Sequence, residues 1–94
     1  MLNHFPSQAD LHEPILKVIR ENGGSIDTSD LYGRLAREVD LSIELLKIQV
    51  STGEKDDDTS TERKWNNIVR HTIRALKKNG DIVSHYRGNY SINE

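Results

Sequence analysis

An α+β domain, mainly helical, is what this 94-residue chain predicts, and three observations carry that expectation. Between Ser60 and Asn79, the residues Trp65, Ile68, Val69, Thr72, Ile73 and Leu76 fall three and four apart on one stripe. Directly after Gly80, the segment Ile82–Ile92 alternates apolar and polar residues around a Gly-Asn pair, the pattern of a tight hairpin. Upstream, shorter periodic stretches punctuated by Gly23-Gly24 leave room for two or three more helices. A helix with one apolar and one basic side, followed at once by a hairpin, is the order of a winged helix. The expected architecture has three to four helices with a small antiparallel β-hairpin wing.

Each element has its own signals. Residues 1–9 read as a flexible arm. The first helix is expected from about Asp10 to Asn22, with Asp10 as N-cap and Pro14 in the first turn, where its missing N–H costs nothing. Leu11, Ile15, Val18 and Ile19 form its buried stripe, and Gly23-Gly24 stops it. Ser25–Asp27 suits one edge strand with Ile26 inward, paired with the hairpin. The second helix starts after a Thr28 or Ser29 cap with Asp30 in its first turn. It buries Leu31, Leu35, Ala36 and Val39, with Tyr32 beside them. Ser42 caps a third helix, with Glu44 near its positive end, burying Leu45, Leu46 and either Ile48 or Val50.

The stretch 51–60 has no apolar residue and holds Glu54, Asp56, Asp57 and Asp58, so it reads as an acidic solvent loop. Thr59 and Glu62 have capping-box spacing, which predicts the fourth helix from Ser60. Lys77 and Lys78 complement its C-terminal dipole. Arg87-Gly88-Asn89 is the expected hairpin turn, since Gly and Asn tolerate positive φ. The length fits a single domain over residues 1–94.

Composition narrows the function. There is no cysteine, which removes disulfides, thiolate metal sites and cysteine nucleophiles, and leans toward a reducing compartment. The first residues lack the basic-then-apolar pattern of a secretory signal, and no apolar run reaches the roughly 20 residues of a membrane helix. The expected location is cytoplasmic. The net charge of −2 conceals an asymmetry: residues 1–60 carry 6 Lys/Arg against 12 Asp/Glu, and residues 61–94 carry 7 against 3. A basic half that contains the fourth helix fits a polyanionic partner.

Catalytic signatures are absent. His4, His12, His71 and His85 have no metal-ligand spacing. Asp56-Asp57-Asp58 lacks the alternation and closing Glu of a calcium loop. Gly23-Gly24 has no phosphate-loop context, and no serine sits on a nucleophile elbow. No metal, cofactor or catalytic residue is expected, and a binding module is favoured over an enzyme.

For double-stranded DNA the residues are suitable. Away from the Trp65 stripe, the fourth helix offers Arg63, Lys64, Asn66, Asn67, Arg70, His71 and Arg74. Arg bridges two guanine acceptors and Asn bridges adenine N6 and N7 in the major groove. Arg87 and Asn89 at the wing suit a phosphate or the minor groove. The plainer alternative is a solvated amphipathic helix and a solubilised turn. Trp65 has two readings, a core residue or the wall of a pocket for a modified base. Tyr86 and Tyr90 read as hairpin packing residues.

The segment from Trp65 to Ile92, WNNIVRHTIRALKKNGDIVSHYRGNYSI, resembles the N-terminal winged-helix domain of Mrr-type restriction proteins. The likeness rests on Trp65 opening a helix, Leu76-Lys77-Lys78-Asn79-Gly80 closing it, and Arg87-Gly88-Asn89-Tyr90 in the hairpin. Asn66 and Asn79 stand where that family often has Ala. The resemblance implies a DNA-recognition module of a modification-dependent restriction system, joined to a fused or associated nuclease domain. No carboxylate–lysine nuclease core follows in these residues, so cleavage by them is not implied. The competing expectation is a winged-helix protein–protein interaction module without DNA binding.

Overall fold

The computed structural model describes residues 1–51 and 61–93. Its first helix, α1 (Gln8–Glu21), begins earlier than the sequence predicts, because the N-cap is Ser7 and not Asp10. The Ser7 hydroxyl accepts the Asp10 backbone N–H at 3.1 Å, satisfying one of the orphan donors of the first turn. Pro14 consequently lies inside the helix, a correction to its expected first-turn place. The expected stripe of Leu11, Ile15, Val18 and Ile19 is buried. Residues 1–9 do not form a free arm. Leu2 pairs in parallel with Leu41 through Leu2 N–H to Asp40 O (2.6 Å) and Ser42 N–H to Leu2 O (2.8 Å).

After Gly23 and Gly24, both at positive φ, the chain enters β1 (Ser25–Asp27) with Ile26 inward. The next helix, α2 (Thr28–Glu38), has Asp27 at its N-cap without a side-chain capping bond. Thr28, expected as the cap, instead gives both its N–H (2.8 Å) and its hydroxyl (2.9 Å) to the Gly88 carbonyl. Leu31, Leu35 and Ala36 are buried, while Val39 is half-buried. A single-turn helix, α3 (Ile43–Leu46), follows Ser42, which makes no side-chain capping bond. Leu45 and Leu46 are half-buried, and Ile48 is exposed.

Two short strands then differ from expectation. β2 (Gln49–Ser51) pairs antiparallel with β3 (Thr61–Arg63), with Val50 opposite Glu62. Glu62 therefore lies in a strand, which excludes it from the capping box. Thr59 and the acidic loop expected over 51–60, Ser51 apart, lie outside the described residues. Helix α4 (Lys64–Asn79) starts at Lys64, not at Ser60, with Arg63 as N-cap. Trp65, Val69, Thr72, Ile73 and Leu76 of the expected stripe are buried, and Ile68 is half-buried. Gly80, left-handed at φ 85°, closes the helix as the sequence predicts.

The chain ends in β4 (Ile82–Val83) and β5 (Asn89–Ile92). β5 is the centre of a three-stranded antiparallel sheet ordered β1-β5-β4, with Ile26 opposite Tyr90 and Ile82 opposite Ile92. The described residues thus form an α+β arrangement, mainly helical, with small antiparallel sheets. Its core lies where α1, α2 and α4 meet the sheet, and Leu11, Ile15, Ile19, Leu31, Leu35, Trp65 and Leu76 are wholly enclosed. Each such aliphatic side chain contributes about 1.5–3 kcal/mol on burial. None of the described helices is long and apolar enough to cross a membrane.

Candidate functional site

Burying the Trp65 stripe forces the opposite side of α4 outward, and the hairpin folds up beside its C-terminal half. Between them lies an open groove of about 680 Å³. Arg70, Arg74, Lys77 and Lys78 border it from α4, Arg87 and Gly88 from the hairpin, and Thr28 and Tyr32 from α2. Ile73 and Tyr90 give it an apolar floor, and among the described residues no acidic side chain lines it. The Lys77 ammonium stands 6.0 Å from the Tyr90 ring centroid, within cation–π range. The Thr28–Gly88 hydrogen bonds fix the wall between α2 and the hairpin turn. The half-buried Tyr32 phenol is pushed up from its ordinary value by burial, opposed by the nearby Arg70 cation.

Of the residues predicted from sequence, Arg70, Arg74 and Arg87 converge here. Arg74 and Arg87 have no acidic partner among the described residues. Lys77 and Lys78 belong to the same groove, although their sequence position reads first as dipole compensation. Thr28, Tyr32 and Tyr90 were not legible as site residues. Their only sequence signal is aromatic or hydroxyl character near an expected helix start and hairpin.

Arg70 differs from its neighbours. One guanidinium nitrogen donates to Glu62 Oε1, and the same oxygen accepts Asn67 Nδ2 at 2.8 Å. The Glu62 carboxyl is held below the usual carboxylate range, first by the Arg70 hydrogen bond and then by that of Asn67. The Arg70 guanidinium is pushed up correspondingly, chiefly by the same bond to Glu62. His71 is exposed on α4 and adds a favourable charge interaction with that carboxylate.

The remaining candidates lie elsewhere. Arg63 and Asn66 line a second, smaller hollow of about 280 Å³ with Arg37, Asp40, Ile43 and Leu46. The Lys64 ammonium sits 5.2 Å from the Phe5 ring centroid. Two candidates have structural duties. Asn89, expected at an exposed wing, is buried within β5; it donates Nδ2 to Asp27 Oδ1 at 3.0 Å and accepts the Ser25 hydroxyl at 3.2 Å. A side chain so enclosed has no free edge for a phosphate. Trp65 is 0% exposed and spends its indole N–H on the Tyr32 carbonyl at 2.9 Å, so it is a core residue, and it also borders the smaller hollow beside Arg63 and Asn66. Tyr86 is 62% exposed, not packed in the hairpin as expected. Among the described residues no His, Asp or Glu cluster is arranged to hold a metal ion. No family model, curated protein or solved structure matches the chain.

Proposed function

We propose that this chain is a winged-helix domain that binds double-stranded DNA through the groove between α4 and the β4–β5 hairpin. The observation that carries the reading is the convergence of Arg74, Lys77, Lys78 and Arg87, with Arg70 at the edge, on one groove that no acidic side chain among the described residues lines. Arg74, Lys77, Lys78 and Arg87, brought together from a helix and a hairpin with no ion-pair partner among the described residues, repel one another, and a polyanion relieves that repulsion. A duplex presents phosphates in rows, and each one neutralised releases condensed counterions. In this reading the outer side of α4 faces the major groove, and Arg87 meets backbone or minor groove.

The setting in a modification-dependent restriction system, with a fused or associated nuclease, rests on the resemblance of Trp65–Ile92 to Mrr-type N-terminal domains. Within that segment Trp65 is core, Gly80 ends a helix, Gly88 has φ 83° and Asn89 is a buried tie. Trp65, Gly80 and Gly88 therefore build the frame, while Lys77, Lys78 and Arg87 of the same segment border the groove and carry the binding.

The test is a binding titration at about 50 and 200 mM salt with matched duplexes, unmodified, adenine-methylated or cytosine-methylated. Binding that weakens steeply with salt is expected, with the Arg74→Ala/Arg87→Ala double variant shallower by roughly 0.9 per lost phosphate contact in the log–log slope. A preference for one methylated duplex supports the restriction setting; equal binding leaves a general DNA-docking domain. One observation favours a second reading, a protein-interaction module: Ile43 and Ile48 are 64% and 42% exposed, and Ile43 borders the smaller hollow. No DNA retention at low salt, together with self-association, would select it.

A further inference from the structure

Four of the five groove cations have no acidic partner among the described residues; Arg70 has one. Its partner does not come from α4. Glu62 stands in β3, in register with Val50 of β2, so the two-stranded ribbon delivers a carboxylate to the flank of the helix. One carboxylate oxygen gathers the Arg70 guanidinium and the Asn67 amide. The carboxylate side chain is 20% exposed, and the guanidinium remains 42% exposed at the edge of the groove.

We propose that Glu62 is a specificity-determining residue of the groove, withdrawing Arg70 from phosphate binding and holding it with Asn67 as a fixed set for reading base edges. This rests on the DNA-binding reading above. The chemistry follows from what each group offers. A guanidinium already neutralised by an internal carboxylate gains little from a phosphate, but its remaining N–H groups still donate to guanine O6 and N7. Asn67 spends one donor on Glu62 and keeps its amide oxygen for a base amino group. Glu62 itself repels a phosphate and accepts from a cytosine amino group. Anchoring the two side chains from a strand outside the helix also removes rotamer freedom that binding would otherwise have to remove.

The experiment measures binding to a random-sequence duplex pool, and to the duplexes the wild type enriches from it, across a salt series. In Glu62→Ala, Arg70 is released to the backbone. Affinity for the pool rises, and the log–log salt slope steepens by about 0.9, which is roughly 3.5-fold more affinity lost between about 50 and 200 mM. The ratio of enriched to pool affinity narrows. Glu62→Gln keeps an acceptor oxygen without the charge, so its slope steepens while the ratio stays closer to wild type. Adding Arg70→Ala to Glu62→Ala returns the slope to the wild-type value. Thermal unfolding of each variant shows whether it is folded, and Glu62→Gln carries the test if Glu62→Ala is not. Wild-type slope and ratio in both Glu62 variants overturn the proposal and leave DNA binding intact. Failure of the wild type and of every variant to bind the pool at low salt overturns the DNA reading itself.

Discussion

The indole N–H of Trp65 donates to the backbone carbonyl of Tyr32 at 2.9 Å, joining the first turn of α4 to α2. The same tryptophan is wholly enclosed, so one residue supplies both the largest piece of core and the bond that sets the two helices against each other. Tyr32 lines the groove, and the placement of the groove wall follows from this contact. Trp65→Ala should cost about 3–5 kcal/mol through lost burial and the cavity left behind. Trp65→Phe loses the N–H bond and part of the ring, and should cost less. Urea denaturation of the two variants checks both the size and the order.

Asn89 and Asp27 make a second tie, 62 positions apart in sequence. Asn89→Asp would set a second carboxylate against Asp27 and should destabilise the domain by about 2–3 kcal/mol at neutral pH. Two carboxylates in contact resist ionising together, so one folded-state pKa rises above its unfolded value and the folded protein holds the extra proton. The penalty should therefore shrink as pH falls through the carboxylate range. Melting temperatures of wild type and variant between neutral and acid pH read this convergence; parallel curves would refute it.

Pro14 lies within α1, where it removes one helical N–H and crowds the preceding turn. Pro14→Ala should stabilise the domain by about 1–3 kcal/mol, the upper end being set by the intrinsic cost of proline in a helix interior. Pro14 is half-buried, and loss of its ring contacts offsets part of the gain. A raised melting temperature with unchanged DNA binding is the expected result.

Glu62 gives the wild type its own pH signature. Its carboxyl is held below the ordinary value by Arg70 and then Asn67. A depressed folded-state pKa contributes stability that is fully present above the unfolded value, roughly 4.3, and is lost as pH falls through the folded one. Glu62→Gln should abolish that portion of the acid-side decline while leaving the rest. Chemical denaturation at stepped pH values isolates it as the difference between the two curves.

Much of the frame was legible because burial writes a period into the sequence. The α4 stripe from Trp65 to Leu76, the left-handed Gly80 and the inward Ile26 follow from spacing and backbone freedom alone. β2 and β3 were illegible for the opposite reason. Gln49-Val50-Ser51 and Thr61-Glu62-Arg63 hold one apolar residue between them, and a ribbon with so little to bury leaves no alternation to read. Glu62 then mimicked a capping residue, because a Thr–Glu spacing looks the same whether the Glu enters a helix or a strand. Ser7 was missed since Pro14 suggested a later helix start. In the site, the cations were visible as a basic helix, but their separation into a groove, a smaller hollow and an aromatic contact was not. Asn89 shows why: its partners Asp27 and Ser25 come from the far side of the chain, and no local pattern announces a buried amide.

The central position of β5 has a kinetic consequence. β4 and β5 pair as a local hairpin, but β1 cannot join the sheet until residues 89–92 arrive, and the Ser25–Asn89 bond closes across 64 positions. Loop-closure entropy must be overcome before those pairings give anything back. Helices α1 and α2 can associate through nearer neighbours while the sheet is still unmade. Folding should accordingly end with the insertion of the last strand, and the hairpin side of the groove is completed only at that step.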